Sequence, residues 1–250
     1  MSMNKQTTLR QSICATALAG MFLLAGGCSS LGQMGGIFDA LSGGAGEALS
    51  LDKIVAGLKQ ALEVGTRNTV ASTSKAGGYA KNPLIRIPMP EKLQKMGSAL
   101  RGVGMGEYVD KFEAKMNQSA ELAAREAAPV FFDAIKDMSF ADAKAILQGE
   151  PTAATDYFRG KTSATLKARY QPIVTEQMES LGTVKLYNDL ETKYNKIPFV
   201  PKTTMSAEDY VTDQALNGLF TVLAQEERKI RENPAARTTE LLRSVFGGQK

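Results

Sequence analysis

The chain has 250 residues, of which 30 are Lys or Arg and 26 Asp or Glu, and it contains no His and no Trp. A formal net charge of +4, evenly mixed along the chain, is too weak to point to nucleic acid. The missing His excludes His-dependent triads, His-ligated zinc and every H-E-x-x-H site. With 43% hydrophobic and 22% charged residues, there is ample apolar material for one large core.

Residues 1–27 read as a secretory signal. Lys5 and Arg10 supply a basic start without acids, and Ile13 to Ala25 supply an apolar stretch of 13 residues. That is too short for a membrane span of ~20 helical residues. The stretch ends in Leu24-Ala25-Gly26-Gly27-Cys28, a bacterial lipobox pattern in which the Cys is acylated and becomes the mature N-terminus. Leu24 stands one place further from the Cys than the usual pattern has it. Cleavage there removes Lys5, Arg10 and Cys14, leaving Cys28 as the single cysteine with its thiol consumed by lipid. A disulfide, an iron–sulfur cluster and a Cys nucleophile are then ruled out. Residues 28–47 form a tether: six Gly fall between Ser29 and Gly46.

Residues 48–250 are expected to form an all-α, multi-helix single domain. Ile54, Leu58, Ala61, Leu62 and Gly65 line the first helix, which fades at Gly77-Gly78. Pro90 opens a second, with Leu93, Met96, Leu100 and Val103 inward. Gly102-x-Gly104-x-Gly106 is a loop. Tyr108, Val109, Phe112 and Met116 open a third helix that runs through the small residues Ala120 to Ala128 until Pro129 kinks or ends it. Ser139-Phe140-Ala141-Asp142 has the form of a capping box and Gly149 that of a stop, bracketing Phe140 to Gln148 as a short helix with Phe140, Ala143, Ile146 and Leu147 buried. Gly160-Lys161-Thr162 copies the end of a P-loop but lacks its first Gly and any preceding strand, so it reads as a helix–loop–helix junction. Leu166, Tyr170, Ile173, Gln177 and Leu181 mark a helix interrupted near Pro172. Val184, Tyr187, Leu190 and Tyr194 mark the next. Ser206 to Asp209 form a second capping box, opening the longest helix, which Asn233-Pro234 ends. Leu241, Leu242, Val245 and Phe246 are expected in a last amphipathic helix.

Two Pro-bounded segments break the pattern, Leu84–Met89 and Ile197–Val200. They either pair as one small two-stranded β ribbon or pack as extended loops along the bundle.

The polar residues that stand out lie on two long helices. Asn117 and Glu121 are spaced i, i+4 and share a face, as do Glu227 and Arg231. Glu226 adjoins them. Their apolar neighbours draw this candidate polar network towards the core boundary, where a charge must be paired. The expectation is that Glu121 or Glu227 pairs with an Arg of another element and pins the two helices in register. The alternative is a set of solvated i, i+4 pairs. No residues are singled out as catalytic or metal-ligating, and no cofactor is expected.

Several stretches occur together and in order: Met116-Asn117-Gln118-Ser119-Ala120-Glu121, Asp142 to Gly149, Ala154-Thr155-Asp156-Tyr157-Phe158, Asn217-Gly218-Leu219-Phe220, Glu226 to Pro234, and Val245-Phe246. In combination they resemble the bacterial envelope family designated domain of unknown function 4197. That resemblance implies a single, mainly helical exported domain, often a lipoprotein, with no established activity and no assigned catalytic residues.

The function expected is that of a lipid-anchored cell-envelope protein, facing the periplasm and held at the outer membrane, since Ser29 rather than Asp follows Cys28. Its partners are the membrane through acylated Cys28 and an envelope protein or an apolar ligand, not nucleic acid. A non-enzymatic interaction or scaffold module ranks first. A periplasmic carrier of lipid or another apolar ligand and a carboxylate-dependent enzyme are the alternatives.

Overall fold

The computed structural model describes residues 50–180, 182–199 and 206–237, together with Thr239, Glu240, Arg243 and Val245. The signal and tether readings, Cys28 included, lie outside the described residues, as do Leu181, Val200, Leu241, Leu242 and Phe246.

The chain is helical, and no strand occurs among the described residues. Helix α1 spans Leu51–Thr73, started by the Ser50 side chain, which accepts from the Lys53 N–H at 3.3 Å. Helices α2 (Glu91–Gly102) and α3 (Gly106–Ala123) flank the Gly-rich turn, where Gly104 takes a φ of +78°. A 3₁₀ turn, Ala124–Glu126, separates α3 from α4 (Ala127–Lys136). Pro129 sits within the first turn of α4, where its missing N–H has no helical partner to lose. Helix α5 (Phe140–Gln148) begins with the expected capping box, in which Ser139 and Asp142 each accept the other's backbone N–H at 3.1 Å. Helices α6 (Ala153–Ser180), α7 (Thr183–Asn195) and α8 (Ala207–Glu232) complete the domain, with a 3₁₀ turn at Pro234–Ala236.

Several expectations are corrected. Gly160, Lys161 and Thr162 are not a junction but lie inside α6, which also runs unbroken past Pro172. Pro172 and Ala168, whose carbonyl loses its helical donor, are both exposed, so water can serve that carbonyl. At 28 residues α6, not α8 with 26, is the longest helix. Val103 does not point inward: α2 stops at Gly102 and the turn at Gly104 carries Val103 out to 58% exposure. Phe140, at the first position of α5, is likewise exposed rather than packed. The second capping box is half built. The Ser206 hydroxyl accepts from the Asp209 N–H at 3.0 Å, but the Asp209 carboxylate turns to α6 and accepts from Gln171 Nε2 at 2.7 Å. Of the Pro-bounded segments, the first begins with Leu84 and Ile85 in a turn closed on the Asn82 carbonyl and continues over residues 86–89 as a loop along the bundle, and the described part of the other, Ile197 to Phe199, is bent rather than extended.

Helices α6 and α8 pack antiparallel along most of their length. The register is read from four contacts in order: Thr155 with Glu227, Arg159 over the Phe220 ring, Lys167 with Asp213, and Gln171 with Asp209. Helix α1 closes one side against α8, α4 and α5, and α3 packs between α6, α7 and α2. The shared core is fully buried at Phe112, Met116, Phe131, Phe158, Leu166, Tyr170 and Leu219. Ala120, Ala123, Ala124 and Ala127 are also fully buried, the small side chains letting the α3–α4 bend lie close to its neighbours.

Candidate functional site

Helix α3 presents Glu113, Asn117 and Glu121 four residues apart, so they stack on one face. Each grips the backbone of the segment that joins α1 to α2. The Glu121 carboxylate accepts the N–H groups of Gly77 (3.0 Å), Tyr79 (3.1 Å) and Ala80 (3.1 Å). Asn117 Oδ1 accepts the Ile87 N–H at 2.9 Å, while its Nδ2 donates to the carbonyls of Ile87 and Glu113, both at 2.8 Å. An amide, with one acceptor and two donors, can satisfy both sides of a peptide unit in this way. Glu113 accepts the Met89 N–H at 3.1 Å and pairs with Arg86 at 2.8 Å. The connecting segment has no strand partner for its backbone, and one helix face supplies the missing bonds.

Tyr79 fastens the same segment to α8. Its ring is completely buried and its hydroxyl donates to the Ala215 carbonyl at 2.7 Å. Burial, with the Glu121 charge adding to it, holds the phenol well above its ordinary range. Gly218, one turn along α8, makes the approach possible: a Cβ there would stand 2.6 Å from Tyr79 Cε1 and 3.1 Å from Ile85 Cβ.

The second cluster lies between α5, α6 and α8. Glu227 accepts the N–H groups of Ala154 (2.9 Å) and Thr155 (2.8 Å) and the Thr155 hydroxyl (2.9 Å). A carboxylate is thereby set on the first turn of α6, where free N–H groups and the helix dipole both favour negative charge. Arg231 bonds Glu227 through Nε at 3.0 Å and reaches with a terminal nitrogen to the Ile146 carbonyl of α5 at 2.8 Å. Arg237, also buried, donates to the carbonyls of Ile230 (3.0 Å) and Arg231 (2.7 Å), closing the C-terminus of α8.

The five residues of the expected network thus fall into separate groups. Asn117 and Glu121 bind one loop, Glu227 and Arg231 bind a helix start, and Glu226 bonds Asn68 and Lys229. The expected arginine from another element is corrected: Glu121 takes backbone N–H groups, and the Arg that Glu227 meets belongs to its own helix. Both sites nevertheless join distant parts of the chain, because the partners are main-chain donors, which sequence spacing does not reveal.

Three of the stretches noted in sequence meet one another in space. Ala154-Thr155 lies on Glu227, and Ile146 lies under Arg231. A family model described as "Protein of unknown function (DUF4197)" matches residues 48–247. The chain belongs to the DUF4197 family. No curated protein and no solved structure matches it.

In this DUF4197 domain a cavity of about 20 Å³ lies beside the Glu227 cluster, lined by Leu58, Leu62, Phe158, Leu223 and Ile230 among others. That is room for about one water. No group of three or more Cys, Asp or Glu that could hold a metal occurs among the described residues. Glu113, Tyr79, Gly218 and Arg237 escape a reading of the sequence. For Glu113 a signal exists, since it stands one turn before Asn117 and completes the three-step row on α3.

Proposed function

We propose that this chain is a lipid-anchored cell-envelope protein, acylated at Cys28 and facing the periplasm from the outer membrane. Its helical domain works as a non-enzymatic interaction or scaffold module. One observation carries the second part: the carboxylates best placed for acid–base work are occupied in holding the fold. Glu121 has three backbone donors, and Glu227 has two backbone donors, a hydroxyl and an arginine. A general acid or base needs a free position for the substrate's proton, and these bonds take all four acceptor positions of Glu227 and three of the four on Glu121. The cavity beside Glu227 suits a water rather than an acyl chain, and the roomier clefts, of about 260 and 340 Å³, are lined by charged groups such as Asp133, Asp137 and Arg169 in one and Asp142, Glu150 and Asp156 in the other, which favours interaction over carriage of an apolar ligand.

Anchoring is tested by palmitate labelling: the label is expected on the wild-type chain and not on Cys28→Ser. Label retained by Cys28→Ser would end the anchor reading. The module reading is tested by crosslinking in intact cells, where discrete protein adducts of the anchored chain are expected. Stoichiometric lipid recovered with the purified Cys28→Ser chain, in place of protein adducts, would transfer the assignment to a carrier.

A further inference from the structure

We propose that the end of the domain where the α2–α3 turn meets the C-terminus of α7 is a membrane-docking face, which takes anionic lipid headgroups and seats Phe199 at the boundary of headgroups and acyl chains. This rests on the anchored reading only for keeping the domain close to a bilayer.

The geometry brings three exposed apolar residues to this end. Helix α7 runs antiparallel to α3, since Phe112 meets Tyr187 and, one turn earlier on α3, Tyr108 meets Lys193. The α2–α3 turn, with Val103 58% exposed, therefore lies at the same end as the residues that follow α7. Tyr108, 38% exposed, stands at the start of α3. Phe199, four residues past the end of α7, is 105% exposed, so its ring touches almost nothing of the domain. Its backbone has a φ of +65°, the single positive φ among the described residues other than Gly. A left-handed conformation in a bulky residue is unfavourable, and a fully exposed aromatic ring adds to the cost. The exposure of the ring is relieved if it enters an apolar phase.

The charges select the occupant. On α3, Glu107 pairs with Lys111, and Asp110 pairs with Arg101. Residues 192–199 contain Lys193 and Lys196 and no acid. Lys193 lies over the Tyr108 ring, 3.2 Å from its centroid, and Lys196 is exposed. Counting Glu191, just before this stretch, the sequence sets Arg101, Lys111, Lys193 and Lys196 against Glu107, Asp110 and Glu191, a small positive excess around protruding aromatic and aliphatic groups. Lysine stems lie along apolar surface while their ammonium groups reach phosphate, and rings sit at interfacial depth. Two such lysines and one ring bind a free protein to an anionic surface only weakly, so that a large excess of vesicles is needed to see it. An acyl chain at Cys28 changes this. The 22 residues from there to Ser50 span at most about 75 Å, which keeps the face at high effective concentration against the bilayer. A single projecting ring on a basic rim fits a fluid interface, which closes around it, better than a partner protein, which would need a matching socket.

Because the chain has no Trp, Phe199→Trp places the sole indole emitter at the proposed depth. In the full chain, with or without Cys28→Ser, we expect vesicles of phosphatidylethanolamine and phosphatidylglycerol to shift its emission to the blue, and brominated acyl chains to quench it. Phe140→Trp, on α5, is expected to stay unshifted, and Lys193→Glu with Lys196→Glu to abolish the shift at position 199. An unshifted emission at 199, an equal shift at 140, or an equal shift on neutral phosphatidylcholine would each overturn the proposal. So would protection of position 199 from aqueous quencher in intact envelopes without quenching by brominated lipid, which would assign the face to a protein partner. Failure of the anchor reading is visible separately, as a mature N-terminus other than acylated Cys28, and leaves the vesicle result on the Cys28→Ser chain intact.

Discussion

Replacing Glu121 by Ala removes the acceptor of three backbone N–H groups at once. The three do not count equally. The Tyr79 N–H is buried and would be left without a partner, at about 1–3 kcal/mol. The Gly77 and Ala80 N–H groups are half-buried, so water replaces part of what they lose, at roughly 0.5–1 kcal/mol each. The sum is about 3 kcal/mol for Glu121→Ala. Glu121→Gln keeps one acceptor oxygen but points an NH₂ at a donor, so about 1–2 kcal/mol is expected there. Urea unfolding followed by helical circular dichroism measures both, with the slope checked for constancy so that the midpoint shift reports stability. A loss below about 1 kcal/mol for Glu121→Ala would refute the strap, because it would mean that the loop backbone finds other partners without cost.

Glu227→Ala should cost about 3–5 kcal/mol, since it uncaps α6 and leaves the part-buried Arg231 without its carboxylate; the same unfolding assay reads it. Gly218→Ala should destabilise by about 1–3 kcal/mol through the clash with Tyr79 and Ile85, and the same substitution should cost less when made in a Tyr79→Ala background, itself destabilised. Gly160→Ala should do the reverse, stabilising by about 0.5–1 kcal/mol, because its Cβ meets nothing within 4 Å in an exposed helix interior. Tyr79 and Tyr170 are both held protonated by burial, so their stabilising effect is complete below about pH 10, the ordinary phenol value, and is lost as pH rises above it. Ultraviolet titration should therefore show these two phenols ionising only together with the collapse of helical dichroism. Gradual ionisation in the folded protein would contradict their burial.

The sequence carries the helices well where local chemistry settles them. Ser139, Asp142 and Gly149 bracket α5 at its observed ends, and the Gly-rich turn before Gly106 falls as expected. It misleads at Gly160 and Pro172, whose local preference for a break is overridden because α6 is packed against α8, α3 and α7. The candidate site was legible as residue types only. Asn117, Glu121 and Glu227 announce themselves as polar groups among apolar neighbours, and each is indeed buried. Their partners are backbone N–H groups at Gly77, Ile87 and Ala154. Every residue but Pro has such a donor, so no pattern of side chains marks which will be used.

The closure of α1 has a consequence for the order in which the chain acquires structure. The apolar face of α1, with Leu58 and Leu62, is covered in part by α8, and Gln60 accepts from Thr239, 179 residues later. Tyr79 likewise waits for Ala215, 136 residues on. The first helix made is thus among the last to be completed, and its face stays open while nearly all of the chain emerges. Such long-range closure slows folding and leaves apolar surface available to other chains meanwhile. A chain truncated before residue 207 would retain α1, α3 and the Glu121 strap but lose the α8 side of the cover over Leu58 and Leu62, and its expected fate is aggregation rather than a smaller stable domain.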